Sequence, residues 1–284
     1  MKFQLDSDVL YKYCDPRGID ILQSSRLKVT PPNQFNDPFE FMPRVEMGVS
    51  AAVVRRRMGS KKLLKSVWKE LPFEIDFETL SQNYLAELNR RGSPHIKRVI
   101  KELRQVTLKH RDGILAFVSK CFGFACLSEI SDDILMWSHY TANHHGFVVG
   151  FNLKNRFFTV GQNLMPMVYR SERVDATLSF SGLSFQEPAA ALFRSKSPHW
   201  SYEREWRQFF MLRKCIKHRT ETGAVHYFQP IPPKAIAKVI LGIRCDEGTE
   251  QTVRELLRKK ELKHVRLERA IIHERDFRLG SVKA

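Results

Sequence analysis

The chain has 284 residues, 43% of them hydrophobic and 11% aromatic, which is enough to bury a sizeable core and excludes a wholly disordered chain. No apolar run approaches the roughly 18 residues of a membrane-crossing helix, and Asp6 and Asp8 interrupt the stretch where a signal peptide carries its apolar segment; no membrane partner and a cytoplasmic location are expected. The 47 Lys+Arg outnumber the 31 Asp+Glu, for a formal charge of +16 that draws polyanions without naming one, and the five scattered cysteines fit reduced thiols rather than a disulfide framework.

In chain order, VLYKY (9–13) predicts a strand, and GIDILQSSRL a helical turn with Ile19 and Leu22 on one side. LKVTPPNQFNDPFEF reads as an extended segment followed by a loop set by Pro31, Pro32 and Pro38. From about 44 to 119 apolar residues recur at spacings of three and four, which predicts helices. Ser93 stands where it would cap the last of these, with Pro94 in its first position and Gly92 ending the helix before. Arg44 to Gly113 carries 16 Lys+Arg against 8 Asp+Glu, half of the chain's excess, so this stretch reads as a basic helical insertion.

Strands resume with FGFACLSE (122–129), GFVVGF (146–151), LMPMVY (164–169) and EWRQFFML (205–212). A loop-like stretch containing PIPP (230–233) follows. KAIAKVILGI, EGTEQTVRELLRKKEL and HVRLERAII then predict a closing strand, helix and strand, a crossover unit. The whole predicts an α+β fold in a single domain, with a strand-rich core over 1–43 and 120–284 and the helical insertion over 44–119.

Four segments stand apart from anonymous core. Lys12 alternates with Tyr11 and Tyr13, so it faces away from both, toward the surface or into a polar cleft. Asn36 and Asp37 before Pro38 read as a turn. In CLSEISDDILMWSHYTANHHGF, Ser128 ends a strand before an acidic turn, and Trp137 and Tyr140 follow on a short helix, where they could form a platform for a flat ring. His139, His144 and His145 match no metal-ligand spacing, so no metal is expected. In HWSYEREWR, strand alternation puts Glu203 and Glu205 on one face and Arg204 on the other. Two adjacent carboxylates repel, so one needs a raised pKa or a cation, with Lys12, Lys196, Arg204 and Arg207 available. A solvent-facing pair neutralised by arginine and a working catalytic pair are both compatible with this spacing. Finally, KVILGIRCDEG has too few glycines for a phosphate loop and reads as strand, turn and helix.

The order LYKY, FNDPFE, MWSHY with its following glycine, and YEREWR resembles a bacterial family described only as a domain of unknown function. The same order is similar to the ADP-ribosyltransferase fold, including toxins that modify nucleic acid. That resemblance implies a split two-sheet core with an NAD cleft between small sheets. It implies that Lys12 takes the place of the usual His or Arg, and that Lys12, Tyr13, Ser128, Trp137 and Tyr140 line the NAD site. Tyr140 would stack the nicotinamide, Glu205 would be the catalytic carboxylate and Glu203 its substrate-side partner.

The resulting expectation is an NAD-dependent mono-ADP-ribosyltransferase acting on RNA or DNA, in a toxin or phage-defence setting that implies a neutralising antitoxin protein. NAD would be a substrate and no metal would be needed. The alternative is a non-catalytic nucleic-acid-binding module working through Arg55, Arg56, Arg57, Lys61 and Lys62.

Overall fold

The computed structural model describes residues 8–47, 51–69, 76–90, 93–160, 164–179, 182–185 and 190–284. The chain opens with β1 (Val9–Cys14), α1 (Asp20–Gln23), β2 (Arg26–Val29) and β3 (Arg44–Met47). Four helices follow: α2 (Ala51–Met58), α3 (Lys61–Lys69), α4 (Phe77–Asn89) and α5 (Pro94–Cys121). Next come β4 (Phe122–Ser128), α6 (Ile134–Tyr140), β5 (Phe147–Asn152), α7 (Arg156–Thr159), β6 (Leu164–Pro166) and β7 (Val168–Tyr169). They lead to β8 (Asp175–Ser179), β9 (Gly182–Phe185), α8 (Ala190–Arg194) and β10 (Ser195–Lys196). A 3-10 turn over Pro198–Glu203 precedes β11 (Glu205–Met211), β12 (Ile216–Arg219) and β13 (Val225–Pro230). The chain closes with β14 (Ile236–Leu241), α9 (Glu247–Leu257), β15 (Arg266–Ile272) and β16 (Leu279–Lys283). Mixed helix and strand in several sheets is thus the architecture.

Contacts divide the chain into two units, one of Met1–Phe41, Ala116–Glu172 and Phe193–Ala284, the other of Met42–Leu115 with Arg173–Leu192. The expected insertion was 44–119 alone; the second unit also takes in the β8–β9 segment, whose strands form the sheet β3-β8-β9. Within that unit Val54, Leu88 and Ile96 pack α2, α4 and α5 together, and Asp76 caps α4 by accepting from Thr79 N at 2.8 Å. Pro94 opens α5, but Ser93 Oγ is buried without a hydrogen-bond partner among the described residues, so its side chain is no cap. Gly92 lies outside the described residues.

The first unit is built on a sheet in the order β16-β15-β14-β5-β1-β4-β11-β6. Its strands are rich in β-branched and aromatic residues, and its central members are buried on both faces. On one face Leu10, Leu127, Val149, Phe151, Trp206 and Val239 form the main core. On the other, Tyr13, Trp137, Val148, Ile240 and Ala270 pack together. The expected crossover is present: β14 and β15 run parallel, with α9 between them in the chain. The stretch after β11 is not loop-like. β12 and β13 form an antiparallel hairpin that continues onto β2.

The middle of the large sheet is nearly cut. β1 pairs with β5 along its length, from Val9↔Asn152 to Cys14↔Phe147, but joins β4 only at Tyr11↔Ser128. Ser128 is also the register partner of Glu205 on β11. Where β1 and β4 part, Lys12 Nζ donates to the Cys126 carbonyl at 3.2 Å, giving that oxygen a partner the ladder does not supply. At the far end of β5 the backbones crowd. Gly242 N donates to Gly146 O at 2.8 Å, and a Cβ on Gly242 would stand 2.0 Å from His144 O.

Candidate carboxylate site

Glu203 and Glu205 do come together, but not as two residues on one strand face. Glu203 ends the 3-10 turn, Arg204 is left-handed (φ 42°), and only Glu205 belongs to β11. The backward bend at Arg204 brings the two carboxylates to one ammonium, that of Lys196. Lys196 Nζ pairs with Glu203 Oε2, lies 2.8 Å from Glu205 Oε2 and 3.5 Å from Glu40 Oε1. Arg207 completes the group: its Nε donates to Glu205 Oε1 at 2.6 Å and its Nη2 pairs with Glu40 Oε2. The guanidinium carbon lies 4.9 Å from the ring centroid of Phe35 and 5.4 Å from that of Phe41.

All five side chains are at most about one-twentieth exposed, and three carboxylates face two cations. Burial raises Glu203 above the ordinary carboxylate range, against the pull of Lys196, and burial likewise raises Glu40 against that of Arg207. Burial acts on Glu205 too, but Arg207 and Lys196 together outweigh it and hold this carboxyl well below the usual range. The two glutamates of the E-x-E pair therefore differ sharply: Glu205 is a fixed anion and Glu203 is the readily protonated one.

Neighbouring groups hold the turn in place. Ser128 Oγ donates to the Glu203 carbonyl at 2.6 Å and accepts from Ile130 N at 3.1 Å. Glu205 N donates to Tyr169 Oη at 2.8 Å. Tyr140 Oη donates to Glu203 Oε1 at 2.6 Å and accepts from Asn36 Nδ2 at 3.3 Å. Burial, then the Glu203 carboxylate, raises the Tyr140 hydroxyl, which keeps it a donor.

Beside this group lies a cleft of ≈ 420 Å³ lined by Asp37, Phe39, His139, His199, Trp200 and Tyr202, among others. Trp200, one of the lining residues, carries the Lys196 ammonium over its ring, with Nζ 5.1 Å from the ring centroid. Tyr202 Oη is 3.3 Å from His139 Nδ1, and Ser197 Oγ 2.8 Å from His199 Nδ1. Such a mostly aromatic cleft with a few polar groups suits a flat, hydrogen-bonding ring.

The predicted site residues fall into four sets. Glu203, Glu205, Ser128 and Tyr140 are brought together as described. Tyr13 and Trp137 are core: Tyr13 Oη donates to Ile130 O at 3.2 Å, and Trp137 is fully buried, its Nε1 donating to Ser131 O at 2.8 Å and its ring parallel to that of His144. Trp137 therefore cannot stack a ligand. Lys12 alternates with Leu10 and Cys14 toward the main core, on the sheet face opposite Tyr13, and is engaged with Cys126 O rather than with either glutamate. The turn expectation for Asp37 holds locally, Asp37 Oδ1 accepting from Phe39 N at 2.9 Å.

In the other unit, Arg55 Nε donates to Leu88 O at 3.1 Å, whereas Arg56, Arg57, Lys61 and Lys62 are exposed. Sequence reasoning missed Glu40 entirely, and it named Lys196 and Arg207 only as generic cations. The signal for Glu40 was present in FNDPFEF (35–41), where its carboxylate sits between Phe39 and Phe41. Among the described residues no His/Cys/Asp/Glu group is placed to hold a metal, and no helix is long and apolar enough to cross a membrane.

Residues 136–208 match a family described as a protein of unknown function (DUF2971). The matched segment begins within α6 and ends just beyond Arg207, so it contains Tyr140, Lys196, Glu203, Glu205 and Arg207 but not Glu40. No curated protein and no solved structure matches the chain.

Proposed function

We propose that this chain is an NAD-consuming ADP-ribosyltransferase whose acceptor is nucleic acid. The observation that carries the reading is the meeting of Glu203, Glu205 and Tyr140 at the narrow point of the sheet, next to an aromatic cleft. A split sheet with paired carboxylates and a nearby tyrosine is what the resemblance to the ADP-ribosyltransferase fold implies.

In this reading the nicotinamide end of NAD occupies the cleft against Trp200 and Tyr202. The bond between the ribose C1′ and the nicotinamide nitrogen breaks, and its electron pair leaves with nicotinamide. The positive charge left on the ribose is stabilised by the surplus negative charge of the carboxylate group. An acceptor hydroxyl or amine then forms the new bond to C1′, and its proton passes to Glu203. A raised carboxyl suits that role, because it is a stronger proton acceptor than an ordinary carboxylate. Glu205, tied to Arg207 and Lys196, keeps the group in register. Glu203 thus keeps the substrate-side place expected from the sequence, while Glu205 serves as its support rather than as the catalytic carboxylate. A toxin or phage-defence setting, with a neutralising protein partner, accords with such chemistry.

The test is incubation of the purified protein with NAD labelled in its ADP-ribose, together with mixed cellular RNA, DNA and protein. Transfer to one polymer class, reduced about a hundredfold or more in Glu203→Gln, is the expected result. A second reading, a nucleic-acid-binding module without catalysis, is favoured by the exposed Arg56, Arg57, Lys61 and Lys62. No transfer and no NAD hydrolysis, with salt-sensitive RNA or DNA binding lost in Arg56→Ala/Arg57→Ala and kept in Glu203→Gln, would decide for it.

A further inference from the structure

We infer that Lys196 is the positioning residue of this site, the group that gathers three carboxylates and sets Glu203 apart from the others. Its catalytic half rests on the transferase reading above; its electrostatic half does not. Lys196 sits on the two-residue strand β10, paired in register with Tyr169 of β7, so one short ladder delivers both the ammonium and the hydroxyl that accepts from Glu205 N. An ammonium has three donors, and the three carboxylates it faces are Glu203, Glu205 and Glu40.

These three do not depend on it equally. Glu205 and Glu40 each have Arg207 as a second cation. Glu203 has no cation other than Lys196 among the described residues, and its other oxygen is held by the uncharged Tyr140. The titratable and charged groups facing Glu203 are Lys196, Glu205, Tyr140, Tyr202 and, more remotely, Tyr169. Removing the ammonium therefore strips from Glu203 its one positive partner among the described residues while leaving Glu205 and Glu40 paired with Arg207. The three donors of the Lys196 ammonium are all directed to carboxylates and its charge rests on the Trp200 ring, so Lys196 acts through Glu203 and is not itself a ligand contact. Arginine preserves the charge but replaces three tetrahedral donors with a planar fork, which cannot address three carboxylates in the same way.

The experiment is carboxyl ¹³C NMR titration of the full chain, wild type against Lys196→Met and Lys196→Arg, with Glu203 and Glu205 assigned by their Gln variants. In Lys196→Met the Glu203 midpoint is expected to rise by about 1–3 pH units while Glu205 moves less; Lys196→Arg stays closer to wild type. Should Lys196→Met not fold, Lys196→Met/Glu40→Gln removes one charge of each sign and carries the same comparison. Equal shifts at Glu203 and Glu205, or none at either, overturn the inference.

NAD turnover supplies the catalytic half. In Lys196→Met, kcat at neutral pH is expected to fall tenfold or more, with KM little changed and the acid limb displaced upward as far as the Glu203 midpoint. Partial recovery is expected in Lys196→Arg. A fall in kcat with an unmoved acid limb means a merely structural lysine. Wild-type protein that consumes no NAD refutes the transferase reading and leaves the titration to decide the electrostatic assignment. Turnover with an unmoved titration refutes the Lys196 assignment alone.

Discussion

Replacing Arg207 by methionine isolates the electrostatics of the buried group. The guanidinium is about 1% exposed and pairs with Glu40 and Glu205 between Phe35 and Phe41. Methionine keeps much of the stem's packing and removes the charge. Three buried carboxylates then share Lys196 alone. Breaking a buried pair by deleting one partner costs about 3–5 kcal/mol, a large part of the roughly 5–15 kcal/mol that holds a domain folded. With an m-value of about 2–3 kcal/mol/M, the urea midpoint is expected to fall by roughly 1–2.5 M at neutral pH.

The loss should depend on pH in a defined direction. In the wild type, Glu205 lies below its unfolded value near ~4.3, so it contributes stability above that pH and loses it as the pH falls further. Without Arg207, burial drives Glu205 above its unfolded value and Glu40, already raised, higher still. The variant then regains stability as the pH falls from neutral toward ~4.3, because its folded state takes up protons first. Urea titrations at pH 7.5 and pH 5 measure both effects, and adding Glu40→Gln and Glu205→Gln to Arg207→Met should recover most of the loss. A penalty below about 1 kcal/mol, or one identical at the two pH values, would refute the buried-network account.

Three further perturbations address other parts of the structure. Trp137→Phe should cost about 2–3 kcal/mol through a lost hydrogen bond to Ser131 O and a small cavity; thermal melting checks this, and a loss of ligand affinity without a loss of stability would return Trp137 to the binding site. Gly242→Ala should lower the melting temperature by at least about 2–4 °C, since its Cβ would stand 2.0 Å from the backbone oxygen of His144; an unchanged melt would mean that the backbones at the end of β5 are not in contact. Tyr140→Phe should leave the fold intact but remove a donor to ionised Glu203, so the acid limb of NAD turnover moves to higher pH; an unmoved limb would dissociate Tyr140 from the chemistry.

Much of the framework was legible as local pattern. The apolar runs of β1, β4, β5, β11 and β14, bounded by turn residues, identify strands because a central strand is apolar on both faces. The period of α9 identifies the closing helix, and the structure adds its cap, Asp246 Oδ1 accepting from Thr249 N at 2.8 Å. β12 and β13 escaped detection because IKHR and VHYFQP lack a continuous buried face; their pairing with each other and with β2 makes them strands. LMPMVY was legible as extended, but not as two short strands, β6 and β7, in different sheets.

The site divides in the same way. The sequence by itself determined that two carboxylates stand one residue apart among several cations, and that two adjacent glutamates need a proton or a cation. Tertiary structure alone decided which carboxylate takes which cation. Glu40 arrives from a loop more than a hundred residues away, and the left-handed Arg204 turns Glu203 back on Lys196. Those outcomes depend on register and on the degree of burial, because the strength of a charge interaction follows the distance and the dielectric surroundings. Neither quantity is written in the spacing of residues along the chain.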